Sequence, residues 1–190
     1  MFLIFATSMQ AREIIGTKEF HLIIKRLAFQ LIENHSDFKD TVLIGLQDRG
    51  IHLADKLGDV LREMKPDSEI NVGHLDITFF RDDFRRSDKP LKANKTEINF
   101  VIENKNVILI DDVLFTGRTV RAGLDAMMAF GRPANVELLT FVDRRYTRHL
   151  PIEASYVGKT VDSIAKDKVL VEWTKLEGQD RVMMYSSEKE

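Results

Sequence analysis

Residues 107–119 read VILIDDVLFTGRT, and this stretch decides the fold class. The apolar run Val107, Ile108, Leu109, Ile110 predicts a buried strand, and it ends in two aspartates, Asp111 and Asp112. Thr116-Gly117-Arg118-Thr119 then leads directly into a helical pattern. Val120, Leu124, Met127 and Met128 share one face of it, and Gly131 and Pro133 close it. A helix start carries unpaired backbone N–H groups and the positive end of a dipole, which together favour a phosphate. Gly117 lets the backbone approach closely, and the hydroxyls of Thr116 and Thr119 add donors. The paired aspartates, one turn earlier, are placed to accept hydrogen bonds from adjacent sugar hydroxyls. Strand, acids and helix tip together describe a cradle for a ribose phosphate.

Working outward, Phe20, Ile23, Ile24, Leu27, Ala28, Leu31 and Ile32 recur with helical period. TVLIGL at 41–46 predicts a buried strand, QDRG at 47–50 a turn, and Ala54, Leu57 and Leu61 one face of a helix closed by Pro66. Residues 71–80 alternate and predict a strand. Residues 81–99 are polar, charged and interrupted by Pro90, the character of a long loop, and such loops often serve as lids. Further strands are expected over 136–142, 169–173 and 182–185. This order predicts an α/β fold: a parallel central sheet with helices on both faces. With no repeat or low-complexity linker, residues 1–190 are expected to form one domain. Ligands of open parallel sheets sit beyond the carboxyl ends of the strands. Three features fall there: QDRG at 47–50, DDVLFTGRT at 111–119 and DRR at 143–145.

Composition excludes several classes. The chain has no cysteine, so disulfide scaffolds and thiolate metal sites are ruled out. A formal charge of −2 offers no strong pull on nucleic acid. Basic clusters at 81–86, 89–95 and 144–148 read as solvated surface or small-anion sites. His21, His35, His52, His74 and His149 show no ligand spacing, so no metal site built by side chains alone is expected. The Met127-Met128 pair reads as core packing. MFLIFATSMQ at 1–10 lacks a basic leader and is too short to span a bilayer, which points to a cytoplasmic protein. Its first eight residues read as an extra strand, or translation starts at Met9.

The 107–119 segment resembles the binding motif for 5-phosphoribosyl 1-diphosphate (PRPP) of type I phosphoribosyltransferases. It looks most like the form in the PyrR family, pyrimidine-operon regulators with uracil phosphoribosyltransferase activity. VLIGLQDRGIHLADKL, VGHLDITFFRDDF, the run from 107 to 145 and LPIEASYVGKTV are similar to PyrR segments in the same order. The likeness covers residues 12–185, leaving 1–11 as an N-terminal extension.

The resemblance implies the type I phosphoribosyltransferase fold with a small hood, and conversion of uracil and PRPP to UMP and diphosphate, with Mg²⁺ arriving on PRPP. It assigns Asp111 and Asp112 to the ribose 2′- and 3′-hydroxyls. Val113, Leu114, Phe115, Thr116, Gly117, Arg118 and Thr119 form the PRPP loop around the 5′-phosphate. Asp48, Arg49 and Gly50 form the diphosphate loop. Many family members have threonine where Asp48 stands, and an acid there repels diphosphate unless its side chain turns away. Arg81 opens the family's catalytic loop, and Arg144 and Val157, with Phe115, shape the uracil pocket. Purine phosphoribosyltransferases usually carry a third acid where Phe115 stands, so a pyrimidine is favoured over a purine. The alternative from the same family is a UMP-sensing regulator that binds RNA. Against it, Phe29 replaces a typically polar residue on the first helix, and RRYTRHLP at 144–151 is one residue longer than the usual form. Related enzymes imply a homodimer or higher homo-oligomer.

Overall fold

A computed structural model describes residues 9–82 and 94–187. The amphipathic pattern from Phe20 forms α1 (Thr17–His35) and the one after QDRG forms α2 (Gly50–Met64). They follow β1 (Met9–Ile15) and β2 (Thr41–Leu46). Next come β3 (Asn71–Leu75), a 3-10 turn (Thr78–Phe80), β4 (Asn106–Leu114), α3 (Arg118–Met127), β5 (Asn135–Arg145) and β6 (Tyr156–Asp162). The chain ends with β7 (Lys168–Glu172), a single turn α4 (Thr174–Glu177) and β8 (Arg181–Ser187).

Five parallel strands form the central sheet in the order β3-β2-β4-β5-β6. Its two faces are sorted by the alternation of strand side chains. Ile108 and Ile110 of β4 pack with Leu27 of α1 and Leu57 of α2. Val107 and Leu109 pack instead with Val120 and Ala126 of α3. Helices therefore cover both faces, as expected. A second, antiparallel sheet, β1-β8-β7, forms the hood, and its Val171 and Val182 join the α1–α2 side of the core.

Several expectations change. The strand expected over 71–80 stops at Leu75 because the Asp76 carboxylate accepts from the N–H (2.9 Å) and hydroxyl (2.6 Å) of Thr78. That local turn competes with the ladder. β4 runs through Asp111 and Asp112 to Leu114 rather than ending before them. Met128 is 54% exposed, so only Met127 of the pair packs in the core. The first eight residues, and most of the loop at 81–99, lie outside the described residues; strand pairing begins at Met9, with Ser187. Among the described residues no helix is long and apolar enough to cross a membrane.

Candidate active site

The turn between β4 and α3 is built by Gly117, whose φ of 88° lies in the left-handed region where a side chain is strained. Its carbonyl accepts the first helical bond, from Arg121 N at 3.0 Å. The early amides of α3 have no acceptor within the helix, as helix geometry requires, and the first, Arg118 N, donates to Thr116 Oγ1 at 3.4 Å. The loop after β5 clamps this turn. His149 N and Leu150 N donate to the Thr116 carbonyl at 3.0 and 3.3 Å. Arg148 donates to the Phe115 carbonyl and pairs with Asp143. Inside lies a cavity of about 260 Å³ lined by Arg81, Asp82, Asp111 and the residues from Val113 to Val120.

Strand alternation divides the two aspartates. Asp111 continues the face of Val107 and Leu109 and opens on the cavity. Asp112 continues the face of Ile108 and Ile110, where its Oδ2 lies 3.6 Å from Arg49 Nε. The two residues are only 6% and 8% exposed. Burial, then the neighbouring Asp112 charge, pushes Asp111 well above the usual carboxylate range, while Arg81 pulls it down. Burial raises Asp112 to about 6 against the pull of Arg49.

The 47–50 turn lies beside them. Its Gln47–Asp48 peptide is cis. A Cβ on Gly50 would come within 2.5 Å of the Ile110 carbonyl oxygen and 3.0 Å of Asp111 Cα, so the start of α2 reaches β4 only through a glycine. The Asp48 carboxylate accepts from Asn94 Nδ2 at 2.7 Å, and is thereby held against the returning limb of the 81–99 loop. Arg49 donates to the Val171 carbonyl and to Glu177 Oε1 (2.9 Å), both from the hood.

Phe115 and Arg144 also meet. The Arg144 guanidinium carbon stands 3.8 Å from the Phe115 ring centroid, and its nitrogens donate to Ser163 Oγ and the Ile164 carbonyl, both at 2.8 Å. One face of the Phe115 ring is thus covered by the protein itself. Val157 stands apart from this pair. It is paired with Thr140, whereas Arg144 is paired with Val161. Four residues of strand correspond to about 13 Å. Its carbonyl accepts from Arg26 of α1 at 3.1 Å, toward the helix rather than the strand ends. Arg118 and Thr119 begin α3, and the Arg118 side chain pairs with Asp82.

Three residues of this site belong to no motif in the sequence, although Arg148 falls in the basic 144–148 cluster. Thr140 donates to the Val142 carbonyl and accepts from Leu114 N, each at 3.1 Å. Arg148 and Glu177 act through partners 33 and 128 residues away. A buried hydroxyl position inside an apolar strand is the one hint, at Thr140.

Known proteins resemble this chain in both sequence and fold. The phosphoribosyl transferase domain family matches residues 11–174. A protein of Enterococcus faecalis named Bifunctional protein pyrR is 38% identical over 93% of this chain and 97% of its own length. Bifunctional protein PyrR of Desulfosudis oleivorans is 44% identical over 85% and 89%. Among solved structures, a hypoxanthine-guanine phosphoribosyltransferase of Bacillus anthracis superposes with a TM-score of 0.70 at 16% identity, covering 94% of this chain and 99% of that one. A hypoxanthine phosphoribosyltransferase of Staphylococcus aureus gives 0.67 at 20%, over 96% of each. With an extended strand carrying two buried acids into a glycine-hinged helix tip, and relatives of this identity over nearly its whole length, the chain belongs to the PyrR family of phosphoribosyltransferases.

Proposed function

We propose that the protein transfers 5-phosphoribose from PRPP to uracil, giving UMP and diphosphate. One observation carries this reading: Asp111, Arg81 and the N-terminal turn of α3 line a single cavity at the strand ends. The helix amides and the hydroxyls of Thr116 and Thr119 hold the 5′-phosphate. Asp111 and Asp112 accept from the ribose hydroxyls, the sugar lying across the end of β4. Arg49, the 48–50 backbone and Arg81 meet the diphosphate. That Asp48 is bonded to Asn94 supports room for an anion in this turn.

Catalysis is electrostatic: donors aligned on the departing diphosphate stabilise charge as the anomeric bond breaks. Among the described residues no three acidic or histidine side chains converge to hold a metal. This donor set suits an ion that arrives with PRPP, and Mg²⁺ so bound would supply positive charge to the leaving group. Phe115 at the base end offers no carboxylate to a purine nitrogen, which supports a pyrimidine. The test is UMP formation from labelled uracil, PRPP and Mg²⁺ by wild type and by Asp111→Asn/Asp112→Asn. Product with hypoxanthine or guanine but none with uracil would overturn the base assignment.

A second reading, regulation by RNA binding, draws on the bifunctional relatives and on Lys25, exposed on α1; the neighbouring Phe29, 60% exposed, counts against it. Arg26 is instead bonded to the carbonyls of Val157 and Gly158. Titration of pyrimidine-leader RNA with and without UMP decides it. Affinity indifferent to RNA sequence and to UMP would end it.

A further inference from the structure

Arg49 is held in an unusual way for a residue meant to meet an anion. Its Nη2 is committed to the hood, through the Val171 carbonyl and Glu177 Oε1. Its Nε is buried and has no hydrogen-bond partner, lying 3.6 Å from Asp112 Oδ2. A buried donor without an acceptor is uncommon, because leaving it unmade carries a desolvation cost. The guanidinium is thus fixed by the hood at one end, and at the other has only the long ion pair with Asp112.

Glu177 does the fixing. It closes the single turn α4, and its second oxygen, Oε2, accepts from Trp173 N at 2.8 Å. Trp173 is itself locked in the core, edge-on to Phe20 with ring centroids 5.4 Å apart and 1% exposed. A rigid chain therefore runs from the core through Trp173 and Glu177 to the diphosphate turn. Burial acts to raise the Glu177 carboxyl, but the Trp173 N–H and Arg49 outweigh it and keep the group ionised. Charge-assisted contacts of this kind are stronger than neutral ones and fix planar geometry.

We infer that Glu177 is a positioning residue for the transferase reaction: from the hood it holds the Arg49 guanidinium beside Asp112, in the orientation from which Arg49 meets the diphosphate of PRPP. This rests on the phosphoribosyl-transfer reading. Glutamine at 177 has the same shape but one acceptor oxygen for two donors, so either Trp173 or Arg49 loses its partner. Aspartate keeps the charge but is one methylene short.

The experiment compares wild type, Glu177→Gln and Glu177→Asp in UMP synthesis, with thermal melting of each. The expected result is a KM for PRPP raised about tenfold in Glu177→Gln. The KM for uracil and kcat should stay within about threefold, and Glu177→Asp should fall between. A PRPP KM unchanged in Glu177→Gln sinks the inference. So does a fall in kcat and a rise in both KM values together, which is general damage. If Glu177→Gln does not fold, Glu177→Asp carries the same comparison. If wild type makes no UMP, the transferase reading fails separately. Calorimetric binding of magnesium diphosphate to wild type and Glu177→Gln then decides the Arg49 geometry, with equal affinities counting against it.

Discussion

Asp111 and Asp112 are adjacent carboxyls buried in a strand, and burial raises the pKa of both, Asp112 to about 6. A raised folded-state pKa means the stability linked to each group is fully present below its ordinary value. It is lost as pH rises through the folded value. Asp112→Asn should therefore melt higher than wild type at neutral pH, by up to about 3 kcal/mol, with the gap closing as pH falls from about 6 to about 4. Melting curves across that range check it. The same variant should lose UMP synthesis by about a hundredfold or more, since it removes one acceptor from the proposed sugar contact. Wild-type activity should fall on the acid side with a midpoint at about 6 or above, since Asp112 is raised to about 6 and Asp111 well above the usual range, and protonation removes the charge and turns one acceptor oxygen into a donor. A flat profile between pH 5 and 7 would contradict this.

The elements carry their own requirements. α2 can start against β4 only because Gly50 has no side chain. Gly50→Ala should cost about 1–3 kcal/mol of stability and raise the KM for PRPP, since any relief of the clash moves the 48–50 turn, the proposed diphosphate contact, away from Asp111. β4 is supported at its end by the Thr140 hydroxyl, so Thr140→Val should destabilise by about 1–3 kcal/mol through the unpaired Leu114 N–H. Thr140→Ser should stay close to wild type in a denaturant titration. The five parallel strands were legible unevenly. β2 and the first half of β4 are continuous apolar runs that announce themselves in the sequence, whereas β6, YVGKTVD, is an edge strand whose polar mixture gives no strand pattern. β1, MQAREII, is likewise defined by its pairing with β8 rather than by its own pattern.

At the scale of the whole molecule, the hood is tied to the helices through Asp180. Its carboxylate meets Lys56 of α2 and His21 of α1 and accepts from Thr174 N at 2.9 Å. Burial acts to raise its pKa, but Lys56, the Thr174 N–H and His21 hold it down at about 2. The stability from this group is present above its ordinary value near 4 and is lost as pH falls through about 2. Asp180→Asn should thus melt lower than wild type at neutral pH, with the difference vanishing between about pH 4 and 2. It should also weaken PRPP binding, because Arg49 takes its hold from the same hood.

What residues 107–119 determined unaided was the nature of the site: a buried strand, two acids and a helix tip hinged by glycine. These are local properties, set by the period of a strand and the open amides of a helix end, so neighbouring residues suffice to express them. Tertiary structure alone decided that Arg49 lies between Asp112 and Glu177, that Asp48 is turned onto Asn94, and that Phe115 meets Arg144 while Val157 stands apart. Those contacts join segments up to 128 residues apart. Partners so distant are chosen by packing and strand order, which no local pattern of side chains records.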